Sequence, residues 1–267
     1  IQDKLPIDIH WVNGIIALIG AVIFQVGGNL LNDYFDFKYK VDRKDTYSSR
    51  ILVDEQFTPK SIYIFGITST IVGCLIGVYL LWIAGWHLLW IGALGVLGSY
   101  FYNRLKYIAL GDLNIFIIYG LLIGLGVTYE MTGQLLWQSL AATTPSGLLI
   151  VGILHANNTR DILNDKKAEI KTQAMLLGVK ASKVYFSILM YGAYVGVLCL
   201  VLAMILHPLA LVTFLTLPLT IKQIKLMNTV SLENLDSIKN LAESVAKLVM
   251  LFSLLLVLAN FISQLFF

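Results

Sequence analysis

The stretch from Ile9 to Asp36 reads IHWVNGIIALIGAVIFQVGGNLLNDYFD. No Lys, Arg, Asp or Glu interrupts it before Asp33. A helix needs roughly 20 consecutive apolar residues to cross the bilayer core. The stretch therefore predicts a membrane span that delivers Asn32, Asp33 and Asp36 to one membrane face. The pattern recurs downstream, where an uncharged run from Trp137 to His155 leads into Ala156-Asn157-Asn158-Thr159-Arg160-Asp161-Ile162-Leu163-Asn164-Asp165. Long apolar runs that end in acidic clusters predict an all-α, multi-pass transmembrane bundle.

Composition agrees with this reading. The 267 residues are 58% hydrophobic and 13% charged, whereas soluble domains carry about 25% charged residues. A larger soluble core does not account for the shortfall, because a core at this length still needs a polar shell; lipid must cover much of the surface. Spans are expected near Ile9–Leu31, Ser61–Ala84, Leu88–Tyr102, Leu113–Glu130, Trp137–His155, Val184–Leu206, Leu209–Ile221 and Lys247–Phe267, about eight helices in all. The net charge of +3 is too small to argue for nucleic acid. Cys74 and Cys199 sit in apolar runs and show neither metal nor disulfide spacing. The opening Ile1-Gln2-Asp3-Lys4-Leu5-Pro6 lacks a basic, apolar leader, so no secretory signal peptide is expected.

Charge placement tests the span map. If the spans alternate sides, segments 32–60, 103–112, 156–183 and 222–247 share one face. Every Lys and Arg except Lys4 falls in them, and the opposite loops near Trp86, Thr132 and His207 hold none. By the positive-inside rule that face is cytoplasmic, and both termini lie outside.

Both acidic clusters fall on this face. Asp33 and Asp36 are three residues apart and share a helix side, with Asn32 beside them and Asp42 on the following loop; Asn157, Asp161 and Asp165 are spaced by four, which stacks them likewise. Ionisable groups at membrane depth are costly and usually functional. Convergent carboxylates repel unless a cation sits among them, and hard oxygen ligands select Mg²⁺ or Mn²⁺. Mg²⁺ typically shares its shell with substrate phosphates. Bases interleave with the acids, among them Arg43, Lys106 and Arg160, as expected for a polyphosphate bridged by metal and clamped by Arg. Adjacent helical residues diverge by about 100°, so Arg160 is expected to reach across the site to a phosphate and not back to Asp161.

The plainer alternatives have weight. A single Asp at a helix end is usually a cap or a solvated residue, but two clusters with matching spacing on one face are hard to explain that way. Lys38, Lys40 and Lys171 read as solvated or headgroup-facing. His10, His87 and His207 read as interfacial and His155 as buried in a span, with no catalytic role for any.

Asn32-Asp33-x-x-Asp36-x5-Asp42 and Asn157-Asn158-x-Arg160-Asp161-x3-Asp165 resemble the paired Asp-rich motifs of the UbiA superfamily of intramembrane prenyltransferases. The spacing to Asp42, the Asn157–Asp161 run, Arg50–Asp54 and Leu105–Leu113 are closest to its MenA branch and the vertebrate relative that makes menaquinone-4. The similarity runs from about Gln25 to Lys180 and more weakly beyond. The resemblance implies one prenyltransferase domain over residues 1–267, a bundle around a central cavity with an Asp-rich cytoplasmic end. The family typically has nine helices, and the additional one would precede Ile9. The resemblance also implies Mg²⁺-dependent ionisation of a prenyl diphosphate and attack on the allylic cation by an aromatic quinone precursor. Asp33, Asp36, Asp161 and Asp165 then do the catalysis, with Asn32 as a further metal ligand. Asn32, Arg43, Tyr102, Lys106, Asn157 and Arg160 bind the diphosphate. The loop Phe101–Lys106 looks shorter than in the relatives, and Asn103 stands where Ser or Thr often follows the motif tyrosine.

Other acceptors within the family include 4-hydroxybenzoate, homogentisate and glycerol ethers. CDP-alcohol phosphotransferases also bind metals through Asp in a membrane bundle, but they use one long Asp-Gly-containing run that is missing at Asp33-Tyr34. A cation transporter would place its acids near the bilayer midplane in broken helices, whereas these lie at span ends beside bases.

Overall fold

A computed structural model describes residues 8–39, 51–167 and 171–266, and every regular element among them is helical. In chain order these are α1 (Trp11–Lys38), α2 (Pro59–Ala84), α3 (Trp86–Lys106), α4 (Gly111–Thr132), α5 (Gln138–Arg160), α6 (Ile162–Lys167), α7 (Gln173–Leu202), α8 (Pro208–Thr229) and α9 (Leu241–Phe266). Among the described residues, seven helices are long and apolar enough to cross a membrane. They overlap seven of the eight expected spans, though the span expected from Val184 begins at Gln173 and the one expected from Lys247 begins at Leu235. The third expected span, Leu88–Tyr102, lies within the 21-residue helix α3, which is not among the seven. Trp, His, Gly and Tyr residues dilute its apolar character, although its length of about 31 Å suits a bilayer. Exposed apolar side chains such as Val12, Leu75, Trp82, Leu202 and Val257 mark the lipid-facing surface of an integral membrane protein.

The chain forms two compact units. The first contains residues 1–90 and 126–135. In it α1 and α2 run antiparallel along a seam of small residues. A Cβ on Gly27 would stand 2.7 Å from the Thr70 backbone nitrogen, and one on Gly73 would stand 3.0 Å from the Phe24 Cα. The Thr58 hydroxyl caps α2 by accepting from the Ser61 N–H at 3.2 Å, with Pro59 at the first helical position. At the far end of the seam the Tyr129 hydroxyl donates to the Ala84 carbonyl at 2.7 Å.

The second unit contains residues 91–125 and 136–267. Leu149 of α5, Phe186, Met190 and Val197 of α7, Met227 of α8, and Val245, Leu248 and Phe252 of α9 form its buried core. The Tyr194 hydroxyl sits between the hydroxyls of Thr216 and Thr220, at 2.7 and 2.6 Å. Besides the 3-10 stretch Pro208–Thr216 that opens α8, two departures from regular helix shape this unit. In α4, residues Phe116–Leu122 form a π-helical stretch. Gly120 there approaches Gly147 of α5 backbone to backbone, and the Thr143 hydroxyl donates to the Gly120 carbonyl at 2.6 Å. The neighbouring helix thus supplies hydrogen bonding where the regular ladder is interrupted. In α7, Gly178 breaks the helix with φ +69°, a conformation that favours glycine.

Candidate active site

The first acidic cluster lies in the first unit, on the last two turns of α1. That helix continues past the expected span end to Lys38, so Asp33 and Asp36 are helical and share a side. Asn32 is exposed and Asp33 partly buried. Tyr34 stands beside Tyr63 of α2, with ring centroids 4.7 Å apart, and carries the Lys38 ammonium 5.8 Å above its ring. Asp42 and Arg43 lie outside the described residues, as do the side chains of Asp36 and Lys106.

The second cluster lies in the second unit, where α5 gives way to α6. Helix α5 ends at Arg160, and Asp161 takes φ −93° and ψ 7°. Asp161 and Asp165 therefore do not sit on one unbroken helix. The i,i+4 relation nevertheless persists, because the Asp165 N–H donates to the Asp161 carbonyl at 2.8 Å. The expectation for Arg160 is also corrected. Its Nε and Nη2 donate to the two carboxylate oxygens of Asp161 at 2.8 and 2.6 Å. Neighbouring side chains on a regular helix diverge, but Arg160 ends its helix and its long side chain turns back so that the guanidinium fork meets the next carboxylate. Nη1 donates to the Lys239 carbonyl at 3.4 Å. Asn157 is partly buried, and Asp165 is buried.

Four residues given no site role by the sequence reasoning join this cluster. Asp112, on the first turn of α4, is 3% exposed. Its Oδ2 lies 3.1 Å from Nδ1 of the fully buried His155, and its Oδ1 accepts from Asn158 Nδ2 at 3.4 Å. The Tyr185 ring lies edge-on to His155 at 4.7 Å. The Tyr102 hydroxyl lies within electrostatic reach of Asp112, Asp165 and Tyr119. Tyr102 thus feels the charge of both Asp165 and Asp112, and Asp112 in turn pairs with His155. The available signal was an ionisable His inside an apolar run; its partner lies 43 residues away, beyond the reach of helical spacing.

The fold and these groups define a polytopic helical membrane protein with paired carboxylates and a guanidinium at the end of a span. The chain belongs to the UbiA prenyltransferase family, whose sequence model matches residues 5–238. It is 34% identical over 186 residues to UbiA prenyltransferase domain-containing protein 1 of Danio rerio, covering 67% of this chain and 55% of that protein. It is 36% identical to the Drosophila melanogaster homologue over 181 residues, covering 65% of this chain and 50% of the homologue, and 33% identical to the Homo sapiens protein over 182 residues, covering 66% and 54%. The matches span about half the length of these curated relatives. A solved structure concerning digeranylgeranylglyceryl phosphate synthase shares the fold, with a TM-score of 0.60 and 19% identity over 96% of this chain and 86% of that one.

Proposed function

We propose that this chain transfers an isoprenyl group from a prenyl diphosphate to an aromatic quinone precursor within the membrane, as a single prenyltransferase domain over residues 1–267. The observation that carries the reading is the α5–α6 junction. A guanidinium fork stands against one carboxylate, a second carboxylate follows one turn later, and a tyrosine hydroxyl lies within electrostatic reach. Family membership and the named relatives support it.

Among the described residues, no three His, Cys, Asp or Glu side chains are gathered as a metal site. The donors at the junction nevertheless suit Mg²⁺ or Mn²⁺. Asp161 and Asp165 offer hard oxygens, and Mg²⁺ is commonly held by one or two carboxylates plus substrate phosphates. Asn32, Asp33 and Asp36 of the first cluster are assigned to the same task. When bound, the metal neutralises charge on the diphosphate leaving group. Arg160, Lys106, Arg43, Tyr102, Asn157 and Asn32 bind and orient the diphosphate. An Arg fork suits phosphate as well as carboxylate, so Arg160 exchanges Asp161 for a phosphate oxygen as substrate enters. The surrounding apolar helices keep water from the allylic cation. The active site faces the cytoplasm, in keeping with the distribution of Lys and Arg.

The test is an acceptor screen in detergent with geranyl and geranylgeranyl diphosphate. The expected product is a prenylated 1,4-dihydroxy-2-naphthoate derivative, with loss of its carboxylate. Transfer to a glycerol ether with none to any aromatic acceptor overturns the aromatic assignment.

A further inference from the structure

The acceptor side of the reaction has no residue assigned to it, and the buried His155 pair supplies one. An ionised carboxylate only accepts hydrogen bonds. Asp112 therefore takes the Nδ1–H of His155, across 3.1 Å, and this fixes the imidazole tautomer. Asn158 secures the other Asp112 oxygen. Nε2 is left with a lone pair. It is buried and meets no hydrogen-bond donor among the described residues. An unsatisfied buried polar atom is costly, and a lone pair so placed calls for a donor brought by a ligand. Along α5, His155 stands about 9 Å from Asp161 at 1.5 Å per residue, towards the middle of the span. That spacing separates a diphosphate at Asp161 from an acceptor at His155.

We propose that His155, oriented by Asp112, binds a hydroxyl of the acceptor through Nε2 and takes its proton. The inference rests on the prenyl-transfer reading above. Tyr185, half-buried, packs edge-on against the imidazole. The O–H bond of the acceptor breaks, its electron pair stays on oxygen, and the ring becomes a stronger nucleophile. The ring carbon then bonds to the allylic carbon whose C–O bond to diphosphate breaks. With 1,4-dihydroxy-2-naphthoate that carbon carries the carboxylate, which leaves as CO2; the electron pair of the broken C–C bond restores the aromatic ring, and the imidazolium returns its proton to the oxygen. Asp112 is a positioning residue: its carboxylate holds the tautomer and faces the imidazolium.

The experiment measures two rates on the purified chain in detergent with Mg²⁺ and geranylgeranyl diphosphate. One is release of inorganic diphosphate without acceptor, which reports ionisation alone. The other is transfer to 1,4-dihydroxy-2-naphthoate. His155→Gln and Asp112→Asn are compared with the parent. The expected result is a fall in transfer of about 10²-fold or more, the scale of general-base catalysis, with diphosphate release within about twofold of the parent. Asp112→Asn gives the same split because an amide N–H facing Nδ1 moves the imidazole proton to Nε2. The proposal is overturned if transfer is unchanged in both variants, or if both rates fall together, which marks the pair as structural. A parent that neither releases diphosphate nor transfers a prenyl group overturns the prenyl-transfer reading itself, and this inference with it.

Discussion

Replacing Arg160 by Lys keeps the charge and removes the fork. In the ligand-free chain the guanidinium makes two charge-assisted bonds to Asp161, with side-chain exposures of 14% and 29%, so solvent screens them only in part. A Lys ammonium can keep one of the two. A hydrogen bond to a charged group contributes about 1.5–3 kcal/mol; the lower figure applies at this partly open position. At about 2–4 °C per kcal/mol for a chain of this size, Arg160→Lys should lower Tm by about 3–6 °C. The functional consequence is separate. If the fork passes to a phosphate when substrate binds, losing one bond there raises KM for the prenyl diphosphate about tenfold, since ~1.4 kcal/mol is a factor of ten. Steady-state kinetics with varied prenyl diphosphate at saturating acceptor, beside thermal denaturation in the same detergent, reads both quantities. A variant with a lowered Tm but the parent's kcat and KM refutes the phosphate role and leaves Arg160 as a structural partner of Asp161.

The seam between α1 and α2 gives a paired prediction. Gly27→Leu forces a side chain into the Thr70 backbone and should cost about 1–3 kcal/mol, whereas a Cβ on Gly28 meets nothing within 4 Å and Gly28→Ala should be tolerated; fluorescence-detected size exclusion after heating compares them. Tyr194→Phe removes the hydroxyl shared by Thr216 and Thr220. Intramembrane side-chain hydrogen bonds average about 0.6 kcal/mol, so Tm should fall by a degree or two with prenyl transfer unchanged. Single cysteines placed at Lys44 and Lys167, in a background without Cys74 and Cys199, should react with impermeant maleimide only from the cytoplasmic side; labelling from opposite sides would refute the topology.

Apolar run length was enough to find seven of the spans, because a bilayer imposes its thickness on each span independently of tertiary contacts. Helix α3 shows where that signal thins: its Trp, His and Tyr residues suit interfaces as well as interiors. The acidic clusters were legible because their spacing is local. What the spacing could not carry was the helix end at Asp161 and the turn of the long Arg160 side chain back onto its neighbour's carboxylate. Nor could it join Asp112 to His155, which depends on how α4 and α5 pack. The π-helical stretch of α4 was hidden for the same reason, since Gly147 and Thr143 of the neighbouring helix accommodate it.

The central claim is metal-dependent prenyl transfer, and one balance measurement addresses it directly. Purified chain is incubated with geranylgeranyl diphosphate and 1,4-dihydroxy-2-naphthoate, stripped with EDTA, then resupplied with Mg²⁺, while prenylated product and inorganic diphosphate are quantified together. The account predicts equal amounts of both with Mg²⁺, neither after chelation, and recovery on resupply, with Asp161→Ala lowering the Mg²⁺-supported rate on the order of 10²–10³-fold. Product formation that survives complete chelation, or an Asp161→Ala variant turning over like the parent, would contradict it.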